Sequence, residues 1–252
     1  MASREEFLTT VREALAHAGA RPEDDEAPLA PLSEEEVRER ARLVRLNSES
    51  RHAELLEMLE VQAEVQEWKL VRVSSLAEAG QAVAQIAAKL GVTQAVRSEH
   101  RVLEEAGVDG ALASAGIEVT LMVHDEADPE GSRAGLREVA ARAGMGVTGV
   151  DYMLAETATA ALVSRRGVSR QVGLLPPVHV AVVEASQVVE GMADLLALRQ
   201  ADQLDRGDGR WYMNLISGPS RTADIEQTLV VGVHGPGEVH LVLVVPGLAQ
   251  DP

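Results

Sequence analysis

Leu70-Val71-Arg72-Val73-Ser74-Ser75-Leu76-Ala77-Glu78 changes the character of the chain. Its first four residues predict a short strand. Ser75 and Glu78, three residues apart, form a capping box in which each side chain satisfies a backbone N–H of the opening helical turn. The helix that follows carries Ala82, Val83, Ile86, Ala87 and Leu90 at helical spacing and stops at Gly91. Strand and helix then alternate: a strand at 93–97, a short helix at 101–106, a strand at 117–123, and a helix at 136–143 ended by Gly144. This succession predicts βαβ units, hence an α/β fold with a largely parallel sheet flanked by helices.

Downstream, Asp151 reads as the N-cap of a single helical turn through Leu154, with a new strand beginning within residues 155–163. Residues 174–183 enter through Pro176-Pro177 and are almost continuously apolar, as a strand covered on both faces is. A long helix is predicted from Ser186 through Val189, Met192, Leu195 and Leu198, followed by strands at 211–216 and 239–245.

Upstream the pattern is helical. Phe7, Leu8, Val11, Ala14, Leu15 and Ala18 form one stripe, and residues 21–32 are an acidic linker with Pro22, Pro28 and Pro31. Ser33 and Glu36 make another capping box. Two further amphipathic helices carry Val37, Leu43, Val44 and Leu46, then Leu55, Leu56, Leu59 and Val61. The expected division is therefore a helical extension with its linker at 1–66 and the α/β domain at 67–252.

The 252 residues contain five aromatics, so the core must be built from Ala, Val and Leu. A formal net charge of −17 argues against nucleic acid or an anionic membrane surface as partner. With no cysteine, disulfides, thiolate nucleophiles and self-ligated iron–sulfur clusters are excluded. No stretch approaches the ~20 apolar residues of a membrane span, and the first residues lack a signal region. The expectation is a cytoplasmic protein.

Ser217-Gly218-Pro219-Ser220-Arg221-Thr222-Ala223-Asp224-Ile225-Glu226 and Gly232-Val233-His234-Gly235-Pro236 carry the chemistry. The first run predicts a Gly-Pro turn opening a short helix, whose free N–H groups and dipole suit an anion. Arg221 would add a fork of donors. Asp224 and Glu226 would oppose an anion, or bind a cation or ribose hydroxyls. Ordinary capping by Ser220 or Thr222 explains the same residues. Glu156, bracketed by small residues in Ala155-Glu156-Thr157-Ala158-Thr159, is either a partly buried carboxyl with a raised pKa or a structural glutamate. Arg165, Arg166 and Arg170 around Gly167 read as an anion loop or a solvated turn, with the turn preferred.

Other constellations fail. His179, His234, His240, Asp224 and Glu226 match no metal-ligand spacing. Ser220, His234 and Asp224 lack the elbow of a hydrolase triad. Gly144-Met145-Gly146 lacks the third glycine of a dinucleotide fingerprint.

Residues 155–159, 175–183, 217–226 and 232–236 together, in this order and separation, resemble the LUD (lactate utilization) domain family over roughly 70–245. The resemblance implies a fold similar to the sugar-phosphate isomerase and CoA-transferase group, close to formyltetrahydrofolate cyclo-ligase. It also implies a non-redox part in oxidising L-lactate to pyruvate, with iron–sulfur clusters carried only by partner proteins and no cofactor in this chain. Glu156 and His234 would then be catalytic. Thr157, Gly218, Ser220, Arg221, Thr222, Asp224 and Gly235 would bind an anionic ligand such as lactate, a nucleotide or a CoA-like molecule. These loops are expected at the carboxyl ends of the strands. Two alternatives stand beside this reading: a stand-alone acyl- or phosphoryl-transferring enzyme, and a scaffold for electron-transfer partners. The sequence departs from the family in having Ala158 where glycine is usual; if that glycine supplies positive φ, alanine strains the turn.

Overall fold

The apolar stripes find their partners in two sheets packed face to face. The computed structural model describes residues 4–17, 32–125, 127–207, 212–222 and 230–247. The chain divides into two units, Met1–Ser33 and Glu34–Pro252. The first contains helix α1 (Arg4–His17).

The second unit opens with α2 (Glu34–Ser50) and α3 (His52–Val65), followed by β1 (Lys69–Val73), α4 (Leu76–Lys89), β2 (Gln94–Arg97), α5 (Arg101–Glu105) and α6 (Val108–Ser114). Next come β3 (Glu118–Leu121), α7 (Pro129–Arg142), β4 (Met145–Gly149), β5 (Tyr152–Leu154) and β6 (Thr159–Val163). The chain continues through α8 (Gln171–Leu174), β7 (Val178–Glu184), β8 (Val188–Val189), α9 (Met192–Arg206) and β9 (Met213–Ile216). The described elements end with β10 (Arg221–Thr222), β11 (Val230–Val231) and β12 (Glu238–Val244).

Six strands form a wholly parallel sheet in the order β1-β12-β7-β4-β2-β3, as the βαβ pattern predicted. Ser75 does cap α4, accepting the Glu78 N–H, while the Glu78 carboxylate accepts the N–H of Ser74. On one face Val180, Val182, Val242 and Val244 pack against Val83 of α4, Val102 of α5 and Leu112 of α6. A Cβ on Gly80 would lie 2.1 Å from the Ala106 carbonyl oxygen, so glycine lets α4 approach the end of α5 closely.

The pleat sends the alternate residues, Ala181, Val183, Leu241 and Leu243, to the other face. There they meet α3 and a second sheet, β8-β5-β6-β9, in which β5–β6 and β6–β9 are antiparallel. Ala160 and Leu162 of β6 face inward, and Ala161 turns outward to α2 and α9. The order of layers is therefore helices α4–α6, parallel sheet, second sheet, and helices α2 and α9.

Local expectations fail at three places, and at two of them hydrogen bonds to residues distant in the chain take the place of a local cap. Residues 152–154 form strand β5 rather than a helical turn, since Asp151 accepts the Val163 N–H of the neighbouring strand instead of capping. Ser186 lies in a 3-10 turn, Ala185–Gln187, and the long helix begins only at Met192 after β8. Arg221 and Thr222, foreseen at the start of a helix, form β10, paired antiparallel with β11, and residues 223–229 lie outside the described residues. Ser220 donates its N–H to Pro236 and accepts the Gly232 N–H, which commits its backbone to a lateral ladder. Asp224 and Glu226 lie outside the described residues.

Candidate functional site

The motif segments gather at the amino ends of β1, β7 and β12, not at the carboxyl ends expected for an α/β sheet. His234, Gly235 and Pro236 lie just before β12, whose first residues pair with the start of β7. Gly237 donates its N–H to Pro177 at the entrance to β7. Gly218, with φ +97°, leaves no room for a side chain: a Cβ would lie 2.1 Å from the carbonyl oxygen of Gln66, just ahead of β1. The segments before β1, β7 and β12 enter strands of the parallel sheet, and the 217–220 loop, which leaves β9 of the second sheet, meets them at that end.

Three contacts join the segments. Thr159 Oγ1 lies 2.7 Å from Thr157 Oγ1 and 2.7 Å from Ser217 Oγ, a chain of three hydroxyls across the tip of the second sheet. Ser220 is bonded through its backbone to Pro236 and Gly232 at 2.8 Å each. A Cβ on Gly235 would approach the Ser220 side chain to 3.2 Å, so the two loops lie against each other.

The charged residues are arranged differently from expectation. Glu156 is exposed rather than buried. It sits in a 3-10 turn, Ala155–Thr157, and its Oε1 accepts the Met192 N–H at the start of α9. A carboxylate is favoured there by the unpaired N–H groups and the helix dipole. Arg221 turns to Glu67, 3.2 Å away, and to the Gln66 carbonyl oxygen. Thr222 lies in β10 and His234 is exposed. Of the predicted site, Thr157, Gly218, Ser220 and Gly235 are thus linked directly or through Thr159 and Ser217, Glu156 and Arg221 reach toward different elements, and Asp224 is not described.

Arg165 and Arg170 each have a partner within the fold. Arg165 pairs with Asp151 at 2.8 Å across a turn in which Val168 donates to the Arg165 carbonyl. Arg170 donates to the Tyr212 hydroxyl and lies 5.9 Å from its ring centroid. Asp151 is kept below the usual carboxylate range despite a large opposing effect of burial, because His100, Arg165 and the Val163 N–H favour its charged form.

Two residues that sequence reasoning did not place in the site lie beneath it. Trp68 donates its indole N–H to the Ala158 carbonyl, and its ring lies 6.2 Å from that of His179. His179 is wholly buried. Its Nε2 is 2.8 Å from Thr148 Oγ1, and its Nδ1 has no hydrogen-bond partner among the described residues. Burial, with a smaller contribution from His240, pushes the imidazole down to about 4, so it is neutral at pH 7. The signal was present as one imidazole interrupting an apolar strand.

The histidines do not converge on a metal. His179 pairs in register with Val239 and His240 with Val180, which sends the two rings to opposite faces of the sheet. His240 instead lies 2.7 Å from Glu238, which Lys69 also holds. Among the described residues no group of three or more His, Asp or Glu is arranged around a common point. No described helix is long and apolar enough to cross a membrane.

The chain is similar to several known proteins. The chain is 44% identical over 123 residues to lactate utilization protein C of Exiguobacterium sp., covering 48% of this chain and 50% of that protein. It is 37% identical over 105 residues to lactate utilization protein C of Bacillus subtilis, covering 42% of this chain and 44% of that protein. The chain therefore spans about half the length of the curated relatives it matches, or slightly less. A solved structure of a DUF162 family protein from Deinococcus radiodurans aligns with a TM-score of 0.48 at 22% identity, over 77% of this chain and 98% of that one. The LUD domain model matches residues 56–244, from within α3 to the last residue of β12, and the chain belongs to the LUD domain family.

Proposed function

We propose that this chain is a non-redox component of an L-lactate utilization system, and that a small anionic ligand sits at the mouth formed by Thr157, Thr159, Ser217, Gly218 and Gly235. The observation that carries the reading is the Thr157–Thr159–Ser217 hydroxyl chain, which with the Ser220–Pro236 bond joins the separated motifs into one surface. Relatives bearing the name lactate utilization protein C support the pathway. Hydroxyls and loop N–H groups are suitable donors to a carboxylate. The Arg221–Glu67 pair is mostly solvated on the Glu67 side, so its net strength is small and an anion can displace Glu67 from the guanidinium. His234, exposed on the same loop as Gly235, is the group available for proton transfer, and Glu156 keeps its carboxylate at the edge of the mouth.

Oxidation of lactate to pyruvate releases two electrons and two protons. A chain with no cysteine offers no thiolate for an iron–sulfur cluster, so such clusters would reside in partner proteins. β11 and the loop after it present Val230, Val231 and Val233, each 45–54% exposed, beside this mouth and are the suited contact for such a partner. Deleting the gene in its native host and restoring it on a plasmid tests the reading. Growth on L-lactate as sole carbon source should be lost, then recovered with the wild-type gene. Undiminished growth of the deletion strain would rule the pathway assignment out.

A further inference from the structure

Helix α2 buries Val37, Ala41 and Val44 in the layer it shares with α9. The next position on that stripe, four residues further, is Ser48. A leucine or valine would continue the packing. The serine instead leaves a cleft of about 510 Å³, and its Oγ is buried with no hydrogen-bond partner among the described residues. Buried side chains Val188, Val189 and Leu198 form the apolar floor. Arg45, one turn before Ser48, and His52, at the start of α3, stand at the rim, as does Glu49. No ion pair among the described residues occupies Arg45, Glu49 or His52. Asp151, which also lines the cleft, is already held by Arg165 and the Val163 N–H.

We infer that this cleft binds a small amphipathic carboxylic acid, with its apolar body on Val188, Val189 and Leu198 and its carboxylate on Arg45 and Ser48. The size falls within the roughly 300–1,000 Å³ of sites for drug-sized molecules, and an apolar floor with a few convergent donors is their usual chemistry. The buried hydroxyl is otherwise a costly unsatisfied donor, and a carboxylate oxygen satisfies it. Arg45 supplies the planar fork that a carboxylate matches. Glu49 on the same rim disfavours a second negative charge, which selects monoacids over diacids. Arg45, Ser48, Glu49 and His52 all precede residue 56, where the family match begins. The cleft also shares no residue with the hydroxyl mouth, so this site stands apart from the proposed function.

Titration calorimetry on the full chain with 3-phenylpropanoate and octanoate tests it, with 3-phenylpropan-1-ol as the uncharged probe. At least one acid should bind and raise Tm with concentration, and the alcohol should bind at least about tenfold more weakly. Arg45→Gln should weaken the acid by about tenfold without changing the unliganded Tm much. Ser48→Leu fills the cleft along its own stripe and should abolish binding while leaving a folded protein. Absence of binding by both acids at millimolar concentration, or equal affinity for acid and alcohol, overturns the assignment. So does a folded Ser48→Leu variant that binds as the wild type does. Were that variant not to fold, Arg45→Gln and the alcohol decide the question.

Discussion

The indole N–H of Trp68 donates to the carbonyl oxygen of Ala158 across a buried 2.9 Å bond, and Ala158 holds that carbonyl in place only by adopting φ +45° and ψ +48°. The left-handed backbone aims the Ala158 carbonyl at the edge of the parallel sheet while Thr157 and Thr159, on either side, present their hydroxyls to each other. Core packing and the candidate site thus meet at one strained residue.

Replacing Ala158 with glycine should therefore be tolerated or stabilising. Removing left-handed strain in a non-glycine residue gains about 1–2 kcal/mol, and loss of one buried methyl with greater unfolded-state freedom returns much of it. A net gain of up to about 1 kcal/mol is expected in urea unfolding. Ala158→Val, β-branched in the same conformation, should lose at least about 2 kcal/mol. A marked loss of stability in the glycine variant would contradict the strain argument.

Trp68→Phe keeps most of the ring but removes the donor. The Ala158 carbonyl is then buried without a partner, a cost of about 1–3 kcal/mol. Denaturant unfolding followed by far-UV circular dichroism measures it, and an unchanged midpoint would show that the bond contributes nothing.

Thr159→Val removes the middle hydroxyl of the Thr157–Thr159–Ser217 chain with little change of volume. Thr159 is 4% exposed, and a stability loss of about 1 kcal/mol is expected. Growth on L-lactate should fall well beyond what that loss explains, while a purely structural role would leave growth tracking the amount of folded protein.

Gly218→Ala should be severe. The position has φ +97°, and its new Cβ would strike the Gln66 carbonyl, a backbone atom that cannot step aside cheaply. A loss of at least about 2 kcal/mol and a displaced 217–222 segment are expected, the latter visible as raised proteolytic sensitivity.

His179 makes stability pH-dependent in a stated direction. Its imidazole is lowered from 6.5 to about 4 in the fold, so between those values the unfolded chain binds more protons and stability falls as pH falls. The loss begins near pH 6.5, is complete near pH 4, and amounts to about 3 kcal/mol at most. His240, also lowered by burial, and Asp151, held low by its partners, change stability with the same sign over their own ranges. The difference in Tm between wild type and His179→Gln from pH 4 to 7 isolates the contribution, and parallel curves would refute it.

Much of this was legible locally. Alternating apolar runs and the capping box of Ser75 with Glu78 marked the parallel sheet, because strand and helix periodicities and first-turn hydrogen bonds are properties of neighbouring residues. The order of the motifs likewise pointed to the family. The end of the sheet at which the motifs meet depended on whether each loop enters or leaves its strand, which only topology decides. So did the identity of residues 221–222 as a strand: Ser220 could cap a helix, but its backbone bonds to Pro236 and Gly232 lie with residues distant in the chain. Glu156 looked ready for burial by its small neighbours, and the start of α9 drew it outward instead. Sequence by itself determined the elements of the parallel sheet and its helices, the alanine- and valine-rich core and the lack of thiolate chemistry. Tertiary structure alone decided that Trp68 and His179 underlie the site, that Ala158 must adopt a left-handed backbone, and that Ser48 opens a cleft, because each depends on contacts between segments that no local pattern encodes.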